Sequence, residues 1–326
     1  MSKERLAYID TAKAYLIFLV ILGHVMNVMN PGYEKLFMVC AQEYINTFHM
    51  AAFFVIHGIL FNNQKWKSIP AGQFIIKRTY SLLVPYLFFE VIGIVWKAVF
   101  QQQSILTGFY NMITIRCNVG ADWFLPAMFI GGVLFLIYVK YPNRIYGIVS
   151  IAMSFVLPMF MSENQLLKVI GRALMAYGFI MIGNMAKKLF TSEKCKSLVW
   201  IAASLIITGI VTIIGIKFGS NGFYDCSVHN PITLAVGGVS GTILVLGIAQ
   251  IVKAKWISTI GQHTLTIMGT HQLVIYAMGA LVPSLYGSIG KGMILLVVII
   301  VFEIPVVYII DRYLPLCVGR KVGKRL

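Results

Sequence analysis

The residues of this sequence most able to do chemistry are ionisable side chains that interrupt long apolar stretches. An ionisable group inside a membrane-spanning helix is costly, and where one occurs it usually serves a function. The apolar stretches contain His24, His49, His57, Glu90, Arg172, His271 and Glu303, with Asp10 and Lys13 at the start of the first stretch. A neutral imidazole is a general base near pH 7, and a guanidinium stabilises developing negative charge. These residue types therefore favour an acid–base site.

The spacing of charged and polar residues is most informative in the first apolar stretch. Lys13 and His24 are eleven residues apart, about three helical turns, so they share a helix face and lie ~16 Å apart along the axis. Asp10 lies within about 40° of His24 around the same helix. A cation at the membrane surface and an imidazole three turns deeper could hold a long ligand by its anionic head. A simpler interpretation stays open, in which Lys13 snorkels to the surface and Asp10 complements the helix dipole.

Four polar residues on different predicted helices lie at one depth. Counted from the cytoplasmic end of each helix, His24, His49, Arg172 and His271 are twelve to fourteen residues in, roughly 18–21 Å at 1.5 Å per residue. That is the outer half of a ~30 Å hydrocarbon core, and we expect one site there. Two alternatives stay open. Each histidine could instead hydrogen-bond a neighbouring helix, or the three could bind zinc, although no carboxylate or Cys shares their layer.

The composition shows which elements must position these residues. Of 326 residues, 59% are hydrophobic and only 12% are charged, which is far too apolar for a soluble domain. We therefore predict an all-α integral membrane protein with about ten transmembrane helices, forming a single domain over 1–326. The predicted helices lie near 12–29, 44–61, 82–100, 123–139, 146–161, 166–186, 197–216, 232–251, 257–282 and 292–311. The glycines at 237, 238, 241, 131 and 132 are interpreted as sites of close helix packing.

The charge distribution predicts the orientation. The net charge is +16, from 27 Lys and Arg against 11 Asp and Glu. With both termini cytoplasmic, most of the basic residues fall on the inner loops and the tail, as the positive-inside rule requires. No nucleic-acid-reading motif accompanies the basic charge, so membrane lipid is the expected partner and nucleic acid is not.

The five cysteines form no CxxC pair, and their spacing does not match a zinc site. The predicted topology places Cys117 and Cys226 on the two longest outer loops, in an oxidising compartment, and Cys195 and Cys317 on the reducing side. We therefore hypothesise a disulfide between Cys117 and Cys226. Spacing alone does not establish it, and Cys40 is a competing partner.

Several sequence stretches, taken in order, resemble the membrane acyltransferases of acyltransferase family three. The stretches are YID followed by the Lys13-to-His24 spacing, FHMAAFF at 48–54, QFIIKRTYSLLVPY at 73–86, ADWFLPAMF at 121–129 and IGQHTLTIMGTHQ at 260–272. The resemblance is nearest to the fucose 4-O-acetylase-like and single-domain branches. The chain departs from the usual pattern in three places: Lys13 stands where Arg is commoner, Lys77-Arg78 replaces Arg-x-x-Arg, and His57 precedes Gly58 where Ser is usual.

The resemblance implies transfer of an acyl group, expected to be acetyl, from cytoplasmic acyl-CoA to a hydroxyl. The acceptor would be an envelope glycan or its lipid-linked precursor, and the location a bacterial cytoplasmic membrane. The expected catalytic residues are His24 as general base with Asp10, His49, Arg172 and His271. The expected donor-binding residues are Lys13, Lys77 and Arg78, and the expected acceptor-binding residues are Trp123, Glu90 and Glu303. No metal is expected.

Three alternatives remain within this interpretation. Transfer could pass through an acyl-histidine rather than directly. Glu90 and Glu303 could form a proton path or a counter-charge instead of an acceptor site. The same buried residues could also serve a polytopic transporter of a small solute such as an amino acid, or of an acylated glycan, because the membrane half of vancomycin-resistance serine racemases looks similar.

Overall fold

The computed structural model describes residues 3–29, 35–252 and 254–320. Within these ranges the chain is helical without a strand, and an isolated bridge pairs Gly222 with Ser227. The helices are α1 Lys3–Met29, α2 Leu36–Asn46, α3 His49–Leu60, α4 Asn63–Ser68, α5 Ala71–Arg78, α6 Val84–Phe100, α7 Ile105–Ile113, α8 Phe124–Lys140, α9 Arg144–Val156, α10 Gln165–Met185, α11 Lys187–Phe190, α12 Leu198–Phe218, α13 Pro231–Ile251, α14 Lys255–Gln262, α15 Thr264–Leu281 and α16 Ile289–Tyr313. A π-helical turn, Thr79–Leu83, joins α5 to α6, and short 3₁₀ turns lie at Leu157–Phe160, Glu193–Lys196, Pro283–Leu285 and Pro315–Val318.

Six of the described helices are long and apolar enough to cross a membrane. They are Ala7–Met29, Ala71–Phe100, Gln165–Met185, Leu198–Phe218, Pro231–Ile251 and Ile289–Tyr313. The prediction of an all-helical, multi-pass membrane protein is therefore confirmed. The count of ten spans and the cytoplasmic position of both termini stay predictions.

Two of the ten predicted segments are broken helices. The segment 44–61 divides at Thr47 and Phe48 between α2 and α3, and the segment 257–282 divides at His263 between α14 and α15. At the first break the Thr47 hydroxyl donates to the Glu43 carbonyl at 2.8 Å. The twelve residues of α3 span only ~18 Å, well short of the hydrocarbon core. Because of the break, His49 is the first residue of α3.

Glycines bring the central helices into direct backbone contact. A Cβ at Gly183 of α10 would collide with the carbonyl of Val55 on α3. On α13, a Cβ at Gly238 would collide with the Phe179 ring, and one at Gly241 with Phe48. Helix α3 therefore packs tightly between α10 and α13, and this packing fixes the position of His49. The interpretation of the glycines as packing positions is confirmed on α13 and for Gly131 on α8, where a Cβ would stand 2.9 Å from the Tyr177 backbone nitrogen. It is wrong for Gly132, because nothing lies within 4 Å of a Cβ there.

A buried carboxylate ties the C-terminal segment to the break between α14 and α15. Asp311 on α16 accepts hydrogen bonds from His263 and, at 2.8 Å, from the Thr266 hydroxyl. The guanidinium of Arg320 pairs with Asp311 at 2.7 Å and donates to the Gln262 carbonyl at 2.8 Å. This cluster holds residues 311–320 against the base of α15, the helix that carries His271.

The hypothesised disulfide between Cys117 and Cys226 is wrong, because both residues are buried free thiols. The Cys226 thiol faces the Pro158 carbonyl at 3.7 Å, in the interface with α10. The Cys117 thiol lies beside Tyr86 instead. Burial raises the pKa of Cys226 to about 11, so this thiol is an apolar packing group rather than a reactive one.

Candidate active site

A cavity of about 330 Å³ lies where α1, α2, α3 and α15 meet two loops. Its lining residues are Val20, His24, Glu43, Asn46, His49, Met50, Ala121, Trp123, Ser220, Asn221, Gly222, Phe223, Tyr224, Asp225, Ser227 and Met268. The loops precede α8 and α13, on the side predicted to be extracytoplasmic. The cavity therefore opens toward the outer face under that orientation.

His24 is placed by contacts with α15. Its ring centroid lies 5.2 Å from that of His271. The side-chain amide nitrogen of Gln272 lies 3.0 Å from His24 Nδ1 and 3.2 Å from Nε2. The oxygen of the same amide accepts a hydrogen bond from the Ala121 backbone N–H at 2.9 Å. His24 is thus joined through Gln272 to the loop that forms one wall of the cavity.

His49 and His271 have their tautomers set by their own helices. His49 Nδ1 lies 2.7 Å from the Ile45 carbonyl, and His271 Nδ1 lies 2.8 Å from the Ile267 carbonyl. A carbonyl oxygen only accepts, so each Nδ1 carries the hydrogen and each neutral ring keeps its lone pair on Nε2. The structure brings His24, His49 and His271 together, with two further imidazole lone pairs close to His24.

Arg172 supports the cavity wall from behind. Its side chain is only 2% exposed and donates to the backbone carbonyls of Tyr224 at 2.6 Å and Ile115 at 2.9 Å. The guanidinium lies 4.6 Å from the Tyr224 ring centroid and 5.7 Å from that of Trp123. Arg172 does not line the cavity. It positions the aromatic wall, and a direct role in stabilising an oxyanion is not favoured by this geometry.

The cavity wall combines flat rings with polar groups. Trp123 stacks on Phe223 at 6.5 Å between ring centroids, and Tyr224 lies on the same side. The carboxylates of Glu43 and Asp225 line the cavity, as do the amides of residues 46 and 221. Rings for stacking and groups for hydrogen bonding are what a polyhydroxylated ligand requires.

Asp10 and Lys13 lie at the opposite end of α1 from the cavity. Lys13 Nζ pairs with Asp10 Oδ1 at 2.7 Å. Asp10 is fourteen residues from His24 on one continuous helix, about 21 Å along its axis, which is too far to act on the imidazole directly. Ile17 and Val20 are buried on the helix face between. A long ligand reaching from Lys13 to His24 would have to displace these side chains.

The other two expected donor-binding residues rest on aromatic rings. Lys77 Nζ lies 5.4 Å from the Trp66 ring centroid. The Arg78 guanidinium lies 5.2 Å from the Phe74 centroid and 5.9 Å from that of Phe61. These cation–π contacts hold both side chains at the base of the helix that continues into α6.

Glu90 does not line the cavity, contrary to its expected role in acceptor binding. It is completely buried, and its carboxylate accepts the backbone N–H groups of Asn118 at 2.8 Å and Val119 at 3.0 Å. The Asn118 side-chain amide adds a bond at 2.8 Å. Glu90 therefore anchors the loop before α8.

Glu303 is also outside the cavity lining. One of its oxygens accepts from the Thr270 hydroxyl at 2.7 Å, and the other is buried without a partner among the described residues. Thr270 precedes His271 on α15, so Glu303 contacts the site through that helix. The substrate-binding role expected of Glu303 is not favoured by its position.

The sequence interpretation missed most of the cavity lining, including Glu43, Tyr224 and Asp225, and two buried residues next to it. Gln272 follows His271 directly, and its partner could not be foreseen because Ala121 is far away in the chain. Asp122 precedes Trp123 and is fully buried, with no hydrogen-bond partner for either oxygen in the described part of the chain. Burial and the nearby charge of Glu90 raise the pKa of Asp122 well above its usual range. In the sequence, the only indication of their importance was their position next to His271 and Trp123, which belong to the family-like stretches.

The described residues contain no group of three or more His, Cys, Asp or Glu side chains arranged to hold a metal ion. His24, His49 and His271 thus do not form a zinc site in this structure. Their contacts are hydrogen bonds and ring packing.

Comparison with known protein families identifies the family to which the chain belongs. The family model described as an acyltransferase domain matches residues 6–312, which contain every residue of the cavity. The chain belongs to acyltransferase family three. No curated protein and no solved structure matches it. For this acyltransferase, the match covers both the Lys13 end of α1 and the histidine cavity.

Proposed function

We propose that this acyltransferase moves an acyl group, expected to be acetyl, from cytoplasmic acyl-CoA to a hydroxyl of an envelope glycan or its lipid-linked precursor. The protein would act in a bacterial cytoplasmic membrane. The observation that carries the proposal is the position of His24, which lines a cavity together with His49 and packs against the ring of His271 in a member of an acyltransferase family.

The donor would bind from the end of α1 that carries Lys13. Coenzyme A is anionic at its nucleotide end, and the basic side chains of Lys13, Lys77 and Arg78 offer charge-assisted hydrogen bonds to its phosphates. The thioester lies at the far end of the long pantetheine arm. The ~16 Å between Lys13 and His24 along α1 is comparable to the length of that arm, once Ile17 and Val20 move aside.

The acceptor would bind in the cavity. Trp123 and Tyr224 supply ring faces for a sugar, and the surrounding carboxylates and amides supply hydrogen-bond partners for its hydroxyls. The imidazole of His24 and the residues that would contact the acceptor then line the same cavity, so the acceptor hydroxyl can reach His24.

The reaction needs one base that later acts as an acid. The lone pair of neutral His24 takes the proton of the acceptor hydroxyl as its oxygen attacks the thioester carbonyl. The C–S bond then breaks, and the leaving thiolate takes the proton back from the imidazolium. The products are an ester and free coenzyme A, and His24 is returned to its neutral form.

The test is transfer of label from radioactive acetyl-CoA in inside-out membrane vesicles that contain the protein and envelope material. The wild-type protein should label lipid or glycan, and His24→Ala should lower the rate at least about 10²-fold with normal membrane insertion. His57→Gln, on α3 outside the cavity lining, is the matched control and should retain activity. An active His24→Ala protein would exclude His24 as the base.

The same vesicles separate this function from transport. If the vesicles take up a labelled solute such as serine without acyl-CoA, and no label is transferred from acetyl-CoA, the protein is a transporter and not an acyltransferase.

A further inference from the structure

The side-chain amide of Gln272 can make its hydrogen bonds to Ala121 and His24 in only one orientation. Its oxygen is occupied by the Ala121 N–H at 2.9 Å, and a backbone N–H can only donate. The other end of the amide is therefore the NH₂ group, and it faces His24. An NH₂ group donates and does not accept. Its nitrogen lies almost equally far from Nδ1 and Nε2 of His24, so one of these two ring nitrogens must carry a lone pair to accept the hydrogen bond.

This contact restricts the protonation state of His24. A neutral imidazole has one lone pair, whereas an imidazolium has N–H groups at both nitrogens and none. Protonation would direct an N–H of His24 at the N–H of Gln272 and leave the amide without its acceptor. Leaving a buried donor unsatisfied carries a large penalty. The Gln272 amide thus favours the neutral ring, the form a general base requires.

The amide is itself held rigidly. Gln272 is 6% exposed. The loop that presents Ala121 is fastened by Glu90 through Asn118 and Val119. A Cβ at Gly120 would stand 3.1 Å from the Gln272 oxygen, so the absence of a side chain there lets the amide approach the loop. Hydrogen bonds to Glu90 on one side and to Gln272 on the other therefore fix residues 118–121, and Gln272 contacts the imidazole.

We propose that Gln272 is the positioning residue that keeps His24 neutral with its lone pair available, and that the acceptor hydroxyl replaces the amide at this lone pair when transfer begins. The inference rests on the proposed function, because it concerns the base of that reaction. Gln272 lies outside the cavity lining and acts through His24. No other group among the described residues bonds both His24 and the cavity loop.

The charged and titratable groups that face His24 come from several elements. They are His271 on α15, His49 on α3, Glu43 on α2, and Tyr224 and Asp225 on the loop before α13. These groups stay unchanged in the variants below, so a shift of the pH profile reports the replaced amide.

The test is the pH dependence of acetyl transfer by the full-length protein in vesicles. Gln272→Glu keeps the acceptor for Ala121 but presents a carboxylate to His24, and an anion stabilises the imidazolium. The midpoint of the acidic limb should move up by about one pH unit. Gln272→Met removes the donor; its acidic limb should move in the same direction, and kcat should fall about tenfold with an unchanged KM for acetyl-CoA.

Gln165→Met is the matched control. Gln165 is the first residue of α10, donates to the Thr114 carbonyl and lies outside the cavity lining, so its pH profile should coincide with that of the wild type. If Gln272→Glu is not inserted stably, Gln272→Met decides alone. Unmoved acidic limbs in the inserted Gln272 variants would overturn the positioning role and leave His24 as the base. Full activity of His24→Ala would instead remove His24 as the base, and absence of label transfer by the wild type would remove the proposed function itself.

Discussion

His24 on α1 and His271 on α15 hold their rings 5.2 Å apart, although they come from opposite ends of the sequence. At this distance a proton on one ring opposes a proton on the other. His271 also keeps its hydrogen on Nδ1, bonded to the Ile267 carbonyl at 2.8 Å. The pair is therefore suited to one proton at a time, which is what base catalysis by His24 requires.

Donor binding should depend on the ion pair at the start of α1. Lys13→Ala should raise the KM for acetyl-CoA more than the KM for the acceptor, because the lost contact is to donor phosphates. Asp10→Asn frees Lys13 from its 2.7 Å pair and should lower the donor KM. Initial rates at varied acetyl-CoA concentration measure the donor KM of both variants. Lys217→Ala, in the last turn of α12, is the control. Unchanged donor kinetics in both α1 variants would place the coenzyme site elsewhere.

Arg78 should contribute to the same donor site, although it rests on Phe74 and Phe61. Arg78→Ala should raise the KM for acetyl-CoA, whereas Arg78→Lys should restore part of the affinity because it keeps the charge. The same rate measurements decide the matter. Equal donor KM values in wild type and Arg78→Ala would limit Arg78 to packing on the aromatic rings.

The acceptor should be neutral or cationic near the reacting hydroxyl. The cavity lining contains the carboxylates of Glu43 and Asp225 and, among the described residues, no Lys or Arg. Labelled product can be hydrolysed and separated by anion exchange to find the sugar that carries the acetyl group. We expect a neutral or amino sugar, and Glu43→Gln combined with Asp225→Asn should increase acetylation of uronate-containing acceptors. An acetylated uronate as the main wild-type product would contradict the prediction.

Asp122 should make stability depend on pH. Its folded-state pKa lies well above the usual range because of burial and Glu90, so its contribution favours folding below about pH 3.9 and is lost as pH rises toward the raised value. Asp122→Asn should therefore raise the Tm at pH 8 more than at pH 4. Thermal unfolding in detergent, followed by fluorescence, measures this. An equal change at both pH values would show that the carboxyl is charged in the folded protein.

The contact between α3 and α10 should tolerate no side chain at Gly183. Gly183→Ala forces a methyl group against the Val55 carbonyl and should cost about 1–3 kcal/mol of stability. Gly132→Ala on α8 is the control, because nothing lies within 4 Å of a Cβ there. Because Ala is a better helix former than Gly, Gly132→Ala should keep or raise the Tm, and a Gly183→Ala protein with the same Tm as Gly132→Ala would contradict the close contact.

The helical membrane class and the common depth of the histidines could be read from the sequence because both depend on local periodicity. Apolar runs specify helices in lipid, and a rise of 1.5 Å per residue places His24, His49 and His271 at one level. The broken helices at residues 47–48 and 263 were not predicted, since an apolar run is the same whether or not the helix is interrupted.

Only the tertiary structure decided which partners these residues have. Glu90 bonds a loop rather than a substrate, Arg172 bonds loop carbonyls behind Trp123, and the thiols of Cys117 and Cys226 are buried in separate surroundings. The contact between Gln272 and His24 likewise required α1 and α15 to be neighbours. Spacing along a helix determines depth and face, whereas partners from distant helices are determined by packing, which this single sequence does not display.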